Sequence, residues 1–131
     1  MDAERISDIE QVLKRIRNRK LCMNAGQVIA GLSFGFWPGM LHPRYNPHIW
    51  SRQLRVAFSC LPDGRGRKIV EERATRALNL RNRIFHHEPL LRRDLSADYG
   101  AIMELLSWIC AETHAWVKRL NSVPIVLRQK P

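Results

Sequence analysis

Apolar positions recur at three- and four-residue intervals along most of this chain, and no stretch shows the strict alternation of a half-buried strand. Ile6, Ile9, Leu13 and Ile16 give an apolar face to a first helix over residues 2–20. Ser7 and Glu10 have capping-box spacing one turn inside its start. Asn24 is a good N-cap for a second helix, which Pro38-Gly39 ends just after Phe36. Gly31 and Gly35 lie on one face of it, and because they weaken a helix they predict close approach by a neighbouring backbone. Residues 41–45 read as loop, and Asn46-Pro47 starts a third helix with the stripe Trp50, Leu54, Ala57 and Phe58. A turn over 61–66 leads to a fourth helix, from Lys68 to His87, which Pro89 stops. A fifth runs from Ser96 to Asn121, burying Tyr99, Ile102, Met103, Leu106, Ile109, Cys110 and Val117.

The expected fold is therefore all-α, a bundle of about five helices in one domain spanning 1–131. Within it, 1–21 is an N-terminal helix, 22–121 a helical core and 122–131 a loose tail.

Composition sharpens this picture in three ways. With 131 residues, 45% of them apolar, the chain has enough interior for one core. The best membrane candidate, residues 28–37, is interrupted by Gly31, Ser33 and Gly35 and is too short to span a bilayer. The charged start Met1-Asp2-Ala3-Glu4-Arg5 lacks a signal core. Cys22, Cys60 and Cys110 are widely spaced, which predicts reduced thiols serving as small core residues in a cytoplasmic protein. The formal net charge of +10 predicts a polyanionic partner, with nucleic acid ahead of anionic membrane. Part of that charge has a structural explanation: Lys14, Arg15, Arg17, Arg19 and Lys20 crowd the C-terminal half of the first helix, where cations suit the helix dipole.

The end of the fourth helix carries the chemistry. Leu80-Arg81-Asn82-Arg83-Ile84-Phe85-His86-His87-Glu88-Pro89-Leu90 gathers arginines, an imidazole pair and a carboxylate. At 100° per residue, Ala74, Ala77, Ile84 and Phe85 fall within about 60° of Val70, and Arg81 falls near the centre of that stripe. An arginine there must meet a carboxylate, a carbonyl, a second subunit or a bound anion. His86 lies roughly 140° away on an ideal helix. The two side chains converge if the helix end frays, if the arginine stem swings across, or if a two-fold axis beside the helix brings two Arg81–His86 sets together. The dimer is the preferred solution.

These groups suit RNA, which carries its own nucleophile in the 2′-hydroxyl. His86 can transfer a proton near neutral pH, and Arg81 can fork onto non-bridging phosphate oxygens. Asn82 can orient His86 or bond the ribose. Arg83, His87 and Glu88 are the adjoining candidates for substrate binding.

This scheme calls for no metal and no cofactor. Glu71 and Glu72 point apart on a helix, and Asp94 and Asp98 flank a helix start where capping explains them. Plainer readings exist for the same residues. The histidine pair can be a polar helix cap, and Glu88 can pair with Arg81 or Arg92. His42 and His48 have no assigned role, His114 suits a surface, and Trp37, Trp50, Trp108 and Trp116 suit a core.

The run from Arg81 to His86 resembles the arginine–polar–three-residue–histidine motif of HEPN domains. The longer stretch, Leu80 to Leu90, resembles the Abi-like (abortive infection) branch of that superfamily. Leu32-Ser33-Phe34-Gly35-Phe36-Trp37, Trp50 and Leu106-Ser107-Trp108-Ile109 share the likeness, which covers residues 22–120. The resemblance implies a helical bundle that dimerises through the motif helix. It implies metal-independent endoribonuclease activity that leaves a 2′,3′-cyclic phosphate, with Arg81 and His86 as the catalytic pair and Asn82 in support. The implied setting is a prokaryotic toxin–antitoxin or phage-defence system, with RNA as substrate and an antitoxin protein as a further partner. Some HEPN toxins carry a modified tyrosine two residues after the histidine. Glu88 stands there in this chain, so control by that route is not implied. The alternative is a non-catalytic RNA- or nucleotide-binding module.

Overall fold

A computed structural model describes residues 3–46 and 48–129, and among these every regular element is helical. The expectation of an all-α fold holds. The count differs: eight α-helices appear among the described residues where about five were expected. The backbone divides into two units, Met1–Met40 and Leu41–Pro131.

In the first unit α1 spans Ala3–Asn18, α2 spans Ala25–Gly31 and α3 spans Phe36–Gly39. Val12 and Ile16 are the buried residues of α1, and Ile9 and Leu13 are half-buried; of the expected quartet only Ile6 is exposed, and Val12 joins the face. Ser7 lies inside the helix and caps nothing; its hydroxyl accepts from the Gln11 amide at 3.5 Å. Asn24 caps α2 as expected, its Oδ1 accepting from the Gln27 N–H at 2.9 Å. Gly31 is closely approached, but by a side chain and not by the expected backbone: a Cβ there would lie 2.5 Å from Val12 Cγ1. The second helix stops five residues early, because Leu32 turns extended next to that glycine. Pro38 does not end it. Pro38 sits in the first turn of α3, where its missing N–H has no intrahelical partner to lose.

In the second unit a 3₁₀ turn at Pro43–Tyr45 is capped by His42, whose Nδ1 accepts the Arg44 N–H at 3.3 Å. Pro47, expected to open the third helix, lies outside the described residues. That helix is instead a π-helical turn at Trp50–Leu54, with the Leu54 N–H reaching Ile49 O at 3.1 Å, followed by α4 at Arg55–Ala57. Its inner face follows the expected stripe in part. Trp50 is buried and Leu54 and Phe58 pack on the core, while Ala57 is exposed.

The long α5 runs Arg67–Phe85 and packs on α6, Leu95–Ile109. Leu41, Trp50, Val70, Ala74 and Trp108 form the core between the start of α5 and the end of α6. Further along, Arg73 Nε donates to Glu104 at 2.5 Å and Arg76 Nε donates to Asp98 at 2.6 Å, which fixes an antiparallel register.

The expected fifth helix is two. The Trp108 carbonyl accepts the Cys60 N–H at 2.9 Å, and Cys110 turns extended. Then α7 runs Ala111–Leu120, its first turn capped by the Cys110 sulfur. The expected loose tail contains α8, Val123–Arg128, which has Pro124 in its first turn. Trp50 and Trp108 are core residues as expected, but Trp37 and Trp116 are exposed. The cysteines are free thiols, yet Cys22 and Cys60 are exposed and Cys110 is half-buried. They sit at turns and a helix break, so they do not serve as core residues. No helix among the described residues is long and apolar enough to cross a membrane.

Candidate functional site

The helix carrying Arg81 outreaches the helix that supports it. In the register set by the Arg73–Glu104 and Arg76–Asp98 pairs, residue 81 lies opposite the first residue of α6. The last turn of α5 therefore overhangs. Ile84 is 54% and Phe85 65% exposed, although both fall on the apolar stripe. Arg81 is exposed as well, which corrects the expectation of a buried arginine. Periodicity places Arg81 on the right side of the helix, but α6, whose Ile102 shares a groove with it, leaves it exposed.

Arg81 is held in two ways. Its Nη1 donates to Asn82 Oδ1 at 3.1 Å, and its guanidinium lies 4.7 Å from the centroid of the Phe85 ring. A cation over an exposed ring is worth about 0.5–1 kcal/mol, enough to bias a flexible stem. The His86 imidazole meets the same ring edge-on, centroids 5.6 Å apart and planes at 88°. Phe85 is thus the common neighbour of the two candidate catalytic side chains. Arg81 and His86 make no hydrogen bond to each other among the described residues. Asn82 serves both by different atoms: its side chain fixes Arg81, and its carbonyl accepts the His86 N–H at 2.9 Å. It was expected to orient the imidazole directly, and it orients the guanidinium instead.

A Schellman motif ends the helix. His86 is the C-cap, and His87 takes a left-handed conformation at φ +55°. The His87 N–H bonds to Ile84 O at 3.2 Å and the Glu88 N–H to Arg83 O at 2.9 Å, the two paired bonds of that motif. The end is ordered, so fraying does not bring Arg81 and His86 together. Histidine is among the few side chains tolerated in the left-handed region, which gives His87 a structural duty beside its candidate role in substrate binding. The helix stops two residues before the expected His87 because this motif, rather than Pro89 alone, terminates it.

Arg83 is turned toward the loop. Its Nε lies 3.8 Å from Glu88 Oε2 and its Nη1 donates to Pro89 O at 3.4 Å. Glu88 therefore pairs with Arg83, and not with Arg81 or Arg92. Both partners are about half exposed, so the pair adds little stability. On the other side of the overhang an apolar groove of about 290 Å³ is lined by Ala77, Leu80, Arg81, Ile84, Phe85 and Ile102.

Asp98 is the residue that sequence reasoning missed. Expected to cap α6, it is instead fully buried. Its carboxylate accepts from Arg76 Nε, Arg93 Nε and Arg93 Nη2. Burial alone pushes its pKa up. The hydrogen bonds and charges of Arg93 and Arg76 outweigh that and hold it below its ordinary value. Asp94 does the capping, accepting from the Ala97 N–H at 2.9 Å. The clue to Asp98 is its place one turn into an amphipathic helix, on the side that α5 must cover. Glu71 and Glu72 diverge as expected, toward Arg67 and Arg73 respectively. Among the described residues no group of three or more histidine, cysteine or acidic side chains is placed to hold a metal ion.

No protein-family model matches this chain, and neither curated proteins nor solved structures give a match.

Proposed function

We propose that this chain is a HEPN-like, Abi-type endoribonuclease. In this reading it works as a homodimer and cleaves RNA through the RNA's own 2′-hydroxyl. The observation that carries the reading is the exposed column Arg81–Phe85–His86 at the overhanging end of α5. Here a guanidinium and an imidazole flank one ring, and a structured cap holds them in place.

The chemistry follows from those groups. The His86 imidazole accepts the 2′-hydroxyl proton, and the freed oxygen attacks the adjacent phosphorus. The bond to the 5′-oxygen breaks, that oxygen takes up a proton, and a 2′,3′-cyclic phosphate remains. Arg81 forks onto the non-bridging oxygens and stabilises the charge that grows on them. Asn82 keeps the guanidinium in place for that contact. A second copy of the chain, docked on Ile84, Phe85 and the adjoining groove, removes their apolar surface from water and sets two columns face to face. The positive charge of the chain suits an RNA substrate. The biological setting that goes with this reading is growth arrest in a toxin–antitoxin or phage-defence system, with an antitoxin protein as a further partner.

The test is cleavage of RNA by purified wild type and His86→Ala. The variant is expected to cut about 10²–10⁴-fold more slowly with its helical circular dichroism unchanged. EDTA should have no effect, and all-DNA substrates should stay intact. Cleavage that EDTA abolishes and magnesium restores rejects the mechanism. RNA retained without product by the wild type assigns the chain to the non-catalytic binding class.

A further inference from the structure

We propose that a second cleft, on the opposite flank of α5 from the apolar groove, is a sequence-tolerant track for the phosphodiester backbone of an RNA strand. It has a volume of about 690 Å³, and Thr75, Arg76, Asn79, Arg83, Arg92 and Arg93 line it. The inference shares with the proposed function the choice of RNA as partner, but it does not require that the RNA be cut.

Four arginines in one cleft repel one another, and Asp98 fixes two of them, Arg76 and Arg93. Fully buried, it takes Arg76 Nε at 2.6 Å and Arg93 Nη2 at 3.2 Å on Oδ1, with Arg93 Nε on Oδ2. Arg93 Nη2 also donates to the Arg76 carbonyl at 3.4 Å, tying the 89–94 loop to α5. One carboxylate against two guanidiniums leaves a positive charge. The Arg76 contact uses Nε alone, so both terminal nitrogens of that fork keep their donors. Arg92 is exposed and makes no hydrogen bond or ion pair among the described residues. Two acidic residues also line the cleft and are otherwise engaged, Glu72 with Arg73 at 3.0 Å and Asp94 with the α6 cap. The cleft therefore presents forked donors held by a buried anchor, the arrangement that matches phosphate oxygens.

The lining also separates a strand from a free nucleotide. Small-molecule sites are mostly apolar and aromatic, and protein surfaces that hold bases stack them on rings. None of the residues that line this cleft is aromatic, so a base has no ring to stack on there. Thr75 and Asn79 supply hydroxyl and amide groups of the kind that bond ribose. Arg83 belongs both to the cleft and to the capped end of α5, so a strand lying in the cleft is led toward the histidine turn.

The experiment is fluorescence anisotropy with a labelled 2′-O-methyl oligouridylate, which lacks the attacking hydroxyl and cannot be cut by the proposed route. Arg92→Ala is expected to weaken binding on the order of fivefold. It should also lower the slope of log affinity against log salt by about 0.7, the contribution of one single-strand phosphate contact. Arg92→Glu should weaken it further, Arg119→Ala on α7 should bind as wild type, and an oligoadenylate should bind like the oligouridylate. Unchanged affinity and salt slope in both Arg92 variants overturn the inference. So does displacement of the strand by AMP at equal concentration, which makes the cleft a nucleotide site. Because no cleavage is read, intact RNA in the nuclease assay leaves this result standing. Normal cleavage with a flat Arg92 response removes the cleft alone.

Discussion

The side chain at position 87 shows how local backbone chemistry shapes the candidate site. A left-handed residue that closes a Schellman motif is ordinarily glycine, since a Cβ costs roughly 1–2 kcal/mol in that conformation. His87 occupies it at φ +55°. Glycine there removes the steric cost and adds back a smaller one in chain entropy. His87→Gly is therefore expected to raise stability by about 0.5–1 kcal/mol, read as a higher urea midpoint at unchanged slope. A lower midpoint would mean that the imidazole makes contacts worth more than the strain. Several single residues were legible from the sequence. Asn24 and Asp94 cap because they precede helices with a side-chain acceptor at the right distance, and Gly31 marks close approach because it weakens its own helix. Arg81 was half legible: its angle on the helix was right, but the cover over that angle depends on where α6 begins.

Between elements, the contact that matters most is the one that local pattern hides. Asp98 joins α6 to α5 through Arg76, 22 residues away in sequence, and to the loop through Arg93. Nothing near Asp98 in the chain distinguishes a cap from a buried anchor, so the pairing with Arg76 is legible only in the folded molecule. Asp98→Asn leaves two guanidiniums without their counter-charge and is expected to cost on the order of 3 kcal/mol. The sign of the pH effect follows from the lowered pKa. The ordinary value is 3.8 and the folded value lies below it, so the stabilisation is complete above the unfolded value. It is lost as pH falls through the folded value. Wild type should thus lose stability on acidification below about pH 4 with a component that Asp98→Asn lacks, as shown by urea midpoints across that range. Parallel acid limbs in the two proteins would remove Asp98 as the source. The break at Cys110 was equally hidden. Apolar periodicity runs through it, and only the backbone bond from Cys60 to the carbonyl of Trp108, 48 residues further along the chain, ends α6 there.

For the whole molecule, the question is what lies against the bare end of α5. A homodimer through that end has twice the 15.3 kDa chain mass. Sedimentation equilibrium is expected to show it for wild type. Phe85→Asp, which places a carboxylate in the contact, should give the single-chain mass and lose cleavage with its helical content unchanged. Wild type at the single-chain mass across the range of concentrations that supports cleavage would exclude the dimer. The all-α character was legible because eight helices differ from five only in how the connections are made, while the apolar period is common to both. The connections escaped because α3, α4 and α8 are three to six residues long, less than two turns each, too short for any periodicity to declare them.

The projection of α5 beyond α6 separates chemical performance from overall robustness. A turn this exposed holds its shape largely through its own amides and its terminal lock, and it lies outside the core around Val70 and Trp108. Substitutions that soften the interior should leave the reactive groups seated until the entire chain melts. Conversely, drift in the sequence of that last turn can retune what it acts on without the rest of the protein having to compensate.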